Sequence, residues 1–181
     1  MNDLEFITDK GLRSTIEDSI EYIYALFEEL KTGQKKKKLY VEETYRVIIL
    51  YVISAIEAVL LYFYKERGEK IHSLEYKFVK SLPEGYSHKS KEGLPVVVAV
   101  QEKVEKDEHQ IGLYDLVALF KNKKFIIERT SDDILELNDI RNTFHFSKPR
   151  TKKCELKHVE SALNLLVYVL QRAPKALMIK K

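Results

Sequence analysis

Arg141, Asn142 and His145 place a fixed positive charge, an amide and a titratable imidazole within about one helical turn. On helical spacing Arg141 and His145 are i and i+4 neighbours, so their side chains share a face and can address one phosphate together. Just downstream, Lys148, Arg150, Lys152 and Lys153 form a basic cluster suited to phosphate contacts. An imidazole that titrates near neutrality can move a proton, and a guanidinium can stabilise charge developing on a phosphoryl group. Asn142 could orient either group by hydrogen bonding.

These residues need a helix to carry them and a partner for the guanidinium. On an ideal helix beginning near Asp133, with Ser131-Asp132-Asp133 as its cap, Ile134, Leu137, Ile140 and Phe144 form the buried stripe. Arg141 falls within that arc, and Asn138 and His145 fall at its margin. A guanidinium turned toward a core requires an anion. The candidate is Glu57, the odd carboxylate in the apolar run 47–64, which only Ser54 and Glu57 interrupt. Their shared placement on apolar faces predicts that the two charged groups meet, within roughly 8 Å for direct or single-water pairing. The same groups, with His145, could instead form a buried polar network that only fixes helix register.

The run that holds Glu57 belongs to a long helix over about 40–67, stopped by Gly68, and its length approaches that of a membrane span. A carboxylate near the middle of a span costs a few kcal/mol in lipid, so the run reads as a central core helix, with no membrane partner. Before it, Leu12, Ile16, Ile20, Ile23, Phe27 and Leu30 recur at three- and four-residue steps and describe an amphipathic helix over about 9–31, capped by Thr8 or Asp9. After it, Leu74, Tyr76, Phe78 and Val79, then Val96 to Val100, read as two strands of an inserted antiparallel hairpin at about 72–104. Pro83-Glu84-Gly85 and Glu92-Gly93-Leu94-Pro95 supply its turn signals. Leu113, Leu116, Val117 and Phe120 mark a short helix over 112–123. The last helix runs over about 155–172, with Leu156, Val159, Leu163, Leu166 and Leu170 as its packing stripe and Pro174 as its stop.

With 181 residues, 45% hydrophobic and 33% charged, and only six Gly and four Pro, the chain suits one ordered, helix-rich domain carrying the hairpin as an insertion. A net charge of +3 gives no global field for nucleic acid, so local patches decide. Lys35 to Lys38, and Lys121 with Lys123 and Lys124, read as solvated connections. The single cysteine, Cys154, excludes an internal disulfide and a multi-cysteine metal site. With no signal-peptide pattern at the N-terminus, a cytoplasmic location is expected. The five histidines lack metal-ligand spacing and no glycine-rich phosphate loop occurs, so no metal and no cofactor is expected.

In this setting Arg141-Asn142-Thr143-Phe144-His145 resembles the motif of the HEPN superfamily, compact all-α domains in which a helix ends in arginine, often followed by asparagine, with histidine a few residues on. The helix order resembles the family's too: a long central helix carrying Glu57, the motif helix, a short basic loop and a closing amphipathic helix. The fold class expected is therefore mainly α, a HEPN-like antiparallel bundle with the hairpin added. The resemblance implies a metal-independent endoribonuclease of toxin or antiviral type, in which a ribose 2′-OH attacks the neighbouring phosphate. Arg141, His145 and Asn142 would carry the reaction, with Glu57 holding Arg141. It also implies a homodimer, and a toxin would have a neutralising or regulatory protein partner. Three residues separate Arg141 from His145, whereas the family's catalytic form usually has at least four. One residue fewer turns the imidazole by about 100° and moves it about 1.5 Å along the axis. The alternative is thus a catalytically inactive HEPN-like module that binds RNA or protein, and beyond it a structural bundle without a nucleic-acid role.

Overall fold

The structure, a computed structural model, describes residues 4–32, 36–81, 91, 97–143 and 153–178. It is mainly α with one antiparallel hairpin: α1 (Lys10–Lys31), α2 (Lys38–Glu66), β1 (His72–Ser81), β2 (Val97–Glu105), a 3₁₀ turn at Glu108–Gln110, α3 (Leu113–Asn122), α4 (Glu128–Asn142) and α5 (Leu156–Met178). The chain divides into two compact units, the helical Met1–Glu69 with Gly112–Lys181, and the hairpin unit Lys70–Ile111.

In the helical unit α2 is central, packed against α1, α3, α4 and α5. Ile48, Ile49, Val52, Ile53, Ile56, Val59, Leu60 and Phe63 are fully enclosed, which requires neighbours on more than one side. By length and composition α2 could cross a membrane, and most of its apolar window is buried inside the protein. It ends where Gly68 takes a left-handed φ of 57°, a conformation cheap only for glycine. The Asp9 carboxylate caps α1 by accepting from the Leu12 amide at 3.0 Å. The Tyr22–Tyr51 ring contact, 5.0 Å between centroids, and the Thr8 amide donating to the Tyr62 hydroxyl set α1 antiparallel to α2. At its N-terminal end, Phe6 stacks on Phe63, which meets Phe125, itself against Phe120. Aromatic pairs of this kind each add about 0.5–1.5 kcal/mol to the burial they represent.

Three sequence expectations are corrected here. Ser131-Asp132-Asp133 does not cap α4, which begins a turn earlier at Glu128 behind Ile127, and the Ser131 amide already donates to the Ile127 carbonyl at 3.0 Å. Glu128 supplies the favourable first-turn charge, while Thr130 and Ser131 are small enough to be buried. Pro174 does not stop α5, which continues to Met178. A proline removes one donor, and the buried Ala173 beside it keeps the turn packed. The buried stripe of α5 is Val159, Ala162, Leu166, Val169 and Ala173, with Leu165 beside it. Leu163 and Leu170 are only half-buried, because alanines rather than leucines form part of the inner face.

In the hairpin unit β1 pairs with β2, with Leu74 opposite Lys103, Tyr76 opposite Gln101 and Phe78 opposite Ala99, and a bulge between Phe78 and Lys80. Alternate side chains project to opposite faces, so Leu74, Tyr76 and Phe78 share one. The predicted turn residues, 83–85 and 92–95, lie outside the described residues.

Candidate functional site around Arg141

Four helical positions build the site. Arg141 sits in the last turn of α4, where a cation complements the helix dipole, and its Nη1 donates to Glu57 Oε2 of α2 at 2.8 Å. The predicted meeting of the two charges is thus a direct ion pair. The side chains are 29% and 27% exposed, partly screened yet open to a ligand on one side. Nη1 also lies 3.4 Å from Oδ1 of Asn138, one turn back on α4, and Asn138 is buried. Both contacts are made at Nη1, so they anchor one end of the guanidinium and leave Nη2 and Nε without a hydrogen-bond partner among the described residues. Asn142 is half-buried beside it and makes no side-chain hydrogen bond to another described residue.

Two further residues were not anticipated. Arg46 of α2 is 6% exposed and donates from Nη1 to Thr143 Oγ1 at 3.1 Å, while Thr143 Oγ1 donates to the Ile140 carbonyl at 2.7 Å. Glu43 is 3.8 Å from its Nε. Arg46 and Glu57 are eleven positions apart in the sequence, about three helical turns, so they occupy one face of α2. That periodicity was the available signal: α2 offers a cation to the last residue of the α4 end and an anion to Arg141. The second is Tyr114, in the first turn of α3, whose hydroxyl donates to Asp139 Oδ1 at 2.9 Å. The Asp139 carboxylate, by accepting that bond, holds the Tyr114 hydroxyl above the usual phenol range. This ties the start of α3 to α4; Asp139 is two positions from Arg141 and so points to a different side of the helix.

His145, Lys148, Arg150 and Lys152 lie outside the described residues. Lys153 is exposed next to Cys154, at the start of the segment leading into α5. Cys154 is buried; desolvation pushes its thiol up to about 11 even though Arg46 opposes the shift, so it is not a nucleophile near neutrality. Nor does His158 activate it: His158 Nδ1 accepts from the Glu155 amide at 3.0 Å, a helix-capping role.

The other basic runs serve structure. Lys36 bonds to Glu29, Lys121 pairs with Glu128 at 2.9 Å, and Lys123 pairs with Glu69 at 3.0 Å. Burial alone would raise the Glu69 carboxyl, but Lys123 and Arg67 hold it below the ordinary range. These two cations join Lys124, Arg172 and Lys175 around a shallow cleft of about 180 Å³. The C-terminal ends of α2, α3 and α5 supply them, where positive side chains offset the partial negative charge of helix ends. A larger groove of about 790 Å³ runs between α1 and α5, walled by Phe6, Ile20, Phe27, Leu163 and Leu170. It shares no residue with the arginine site, and its mostly apolar lining carries Glu5, Tyr24 and Lys31 as titratable groups.

No family model matches the chain, and none of the curated proteins or solved structures compared with it does.

Proposed function

We propose that this protein is a HEPN-like, metal-independent endoribonuclease of the toxin or antiviral-defence kind, acting in the cytoplasm on RNA. The observation that carries the reading is the Glu57–Arg141 ion pair at 2.8 Å, which presents an oriented, partly exposed cation four positions before His145. In the reaction a ribose 2′-OH attacks the adjacent phosphorus and the 5′-oxygen leaves, giving a cyclic phosphate. His145 moves a proton to or from one of these oxygens, and Arg141 stabilises the charge gathering on the phosphoryl group. Asn142 orients the reacting groups, Glu57 holds Arg141, and Lys148, Arg150, Lys152 and Lys153 contact the RNA backbone. A homodimer would bring two copies of the motif to one cleft, and a toxin of this kind would be held in check by a neutralising protein.

A second reading has its own observation. Only three residues separate Arg141 from His145, and the Nη1 of Arg141 is already engaged by Glu57 and Asn138, which favours a catalytically inactive module that binds RNA or protein through the same face. The discriminating experiment incubates wild-type protein and His145→Ala with structured RNAs in chelator and maps the product ends. Cleavage to cyclic phosphate that falls about 10²–10⁴-fold in His145→Ala supports the nuclease. RNA left intact but bound with a steep salt dependence supports the module. Neither binding nor cleavage across a broad RNA panel refutes the nuclease and the RNA-binding module, leaving a protein-binding or structural role.

A further inference from the structure

The hairpin unit leaves exposed the side chains that other two-layered structures bury. Leu74, Tyr76 and Phe78 lie on one face of β1 at 64%, 76% and 59% exposure. A lone two-stranded hairpin is marginal in water, and its outer edges present unpaired backbone groups that invite another strand. Among the described residues, the sheet contains only β1 and β2, so each strand keeps one open edge.

The sequence of β1 is complementary to itself about Tyr76. Placed antiparallel to a second β1 across a two-fold axis at that residue, Tyr76 faces Tyr76, Leu74 faces Phe78, and Glu75 faces Lys77. The aromatic and aliphatic contacts fall on one face and the opposite charges on the other, since alternate residues of a strand share a face. An isologous interface repeats each contact twice, which is what a self-complementary strand requires. Within one hairpin Glu75 stands directly opposite Glu102, a like-charge pairing that disfavours the isolated sheet. A second copy sets its Lys77, already paired with its own Glu102 at 3.5 Å, on the outer side of Glu75, so that one network of alternating charges spans the four strands. The open edge of β2 lacks this property: antiparallel pairing about Gln101 would set Val100 against Glu102 and Ala99 against Lys103.

RNA is a poorer occupant of the same face. The two strands carry Lys77, Lys80 and Lys103 against Glu75, Glu102 and Glu105, so they have no surplus positive charge. Lys77 already pairs with Glu102 at 3.5 Å, and Lys70 with Glu105 at 2.6 Å.

We infer that the outer edge of β1 pairs with β1 of a second copy of this chain, in register about Tyr76, forming a four-stranded antiparallel sheet. The interface is independent of the arginine site and holds whether or not the protein cleaves RNA. Being short, it should give a dimer with a dissociation constant of roughly micromolar order.

Cysteine replacement tests the register and charge replacement tests the chemistry. Under mild oxidation Tyr76→Cys should give a disulfide-linked dimer, because cross-strand partners sit about 4.5–5.5 Å apart. Leu74→Cys alone should not link, since its copies are staggered by four residues, about 13 Å. Mixed with Phe78→Cys protein, it should link. Buried Cys154, with its raised thiol, gives little background. By sedimentation equilibrium, Lys77→Glu should weaken the dimer about ten-fold, and Glu75→Lys/Lys77→Glu should restore it. The substituted side chains are all exposed, and unchanged helical circular dichroism would confirm that each variant folds. A wild-type protein that stays monomeric at all soluble concentrations overturns the inference, as does a dimer indifferent to Lys77→Glu. Equal cross-linking from positions 74, 76 and 78 also overturns it. If the monomer instead shields Tyr76 and Phe78 on adding RNA, the face belongs to nucleic acid and the inference fails.

Discussion

Phe63 and Phe78 are the same residue type in opposite circumstances: Phe63 of α2 is 0% exposed among other aromatic rings, and Phe78 of β1 is 59% exposed. The first belongs to the central helix of a unit that encloses it on several sides, the second to a hairpin held by local ladder bonds and cross-strand pairs. Burial therefore stabilises the helical unit from within, while the hairpin leaves apolar area available to another strand. The contrast teaches that an apolar residue type says little about stability until its enclosure is known.

Phe63→Ala should probe the difference most strongly, destabilising the helical unit by about 3–5 kcal/mol in denaturant melts followed by helical circular dichroism. A loss no larger than that of a surface change would mean that α2 is not the enclosed centre of the bundle. Raising the pH should tell next. The Cys154 thiol lies at about 11 in the folded chain against an ordinary value of 9.0, so the native state holds its proton more tightly than the unfolded chain. Stability from this group is complete below the unfolded value and is lost as pH rises through the folded one, by on the order of 2 kcal/mol. Wild type and Cys154→Ala, melted side by side between neutral and strongly alkaline pH, should diverge only at the alkaline end. Glu57→Gln should cost the helical unit about 1–2 kcal/mol, between the values for exposed and fully buried pairs, because its charge pair is partly screened. If a double-mutant cycle with Arg141→Gln shows no coupling, the pair does not orient the guanidinium. Tyr76→Ala should be the smallest, shifting the helical melt by less than about 0.5 kcal/mol, since its side chain is largely exposed. Its effect belongs to self-association.

Much of this molecule was legible in residue patterns. The steps of Leu12, Ile16, Ile20 and Ile23 marked α1, with Thr8 or Asp9 as its cap, of which the structure uses Asp9; Gly68 marked the end of α2; Val97 to Val100 marked β2. The Glu57–Arg141 contact was legible because a charge on an apolar face must find its counter-charge. Other features were not. Nothing in the sequence named a partner for Arg46, and only the approach of the α4 end shows that it is buried against Thr143. Ser131 looked like a cap, although small polar residues also suit a close helix contact once their hydroxyls are accommodated. Pro174 looked like a stop, but the packing around Ala173 carries α5 past it.

What the sequence determined by itself is local or periodic: where helices and strands form, which faces are apolar, and which charges stand out of place on those faces. Apart from the Glu57–Arg141 pair, only the tertiary structure decided the partners. It set Asn138 beside the Glu57–Arg141 pair, drew Thr143 to Arg46 and Asp139 to Tyr114, and chose alanines over leucines for the inner face of α5. The physical reason is that periodicity depends on neighbours a few residues away, whereas enclosure and pairing depend on groups tens of residues apart that meet only when the helices pack.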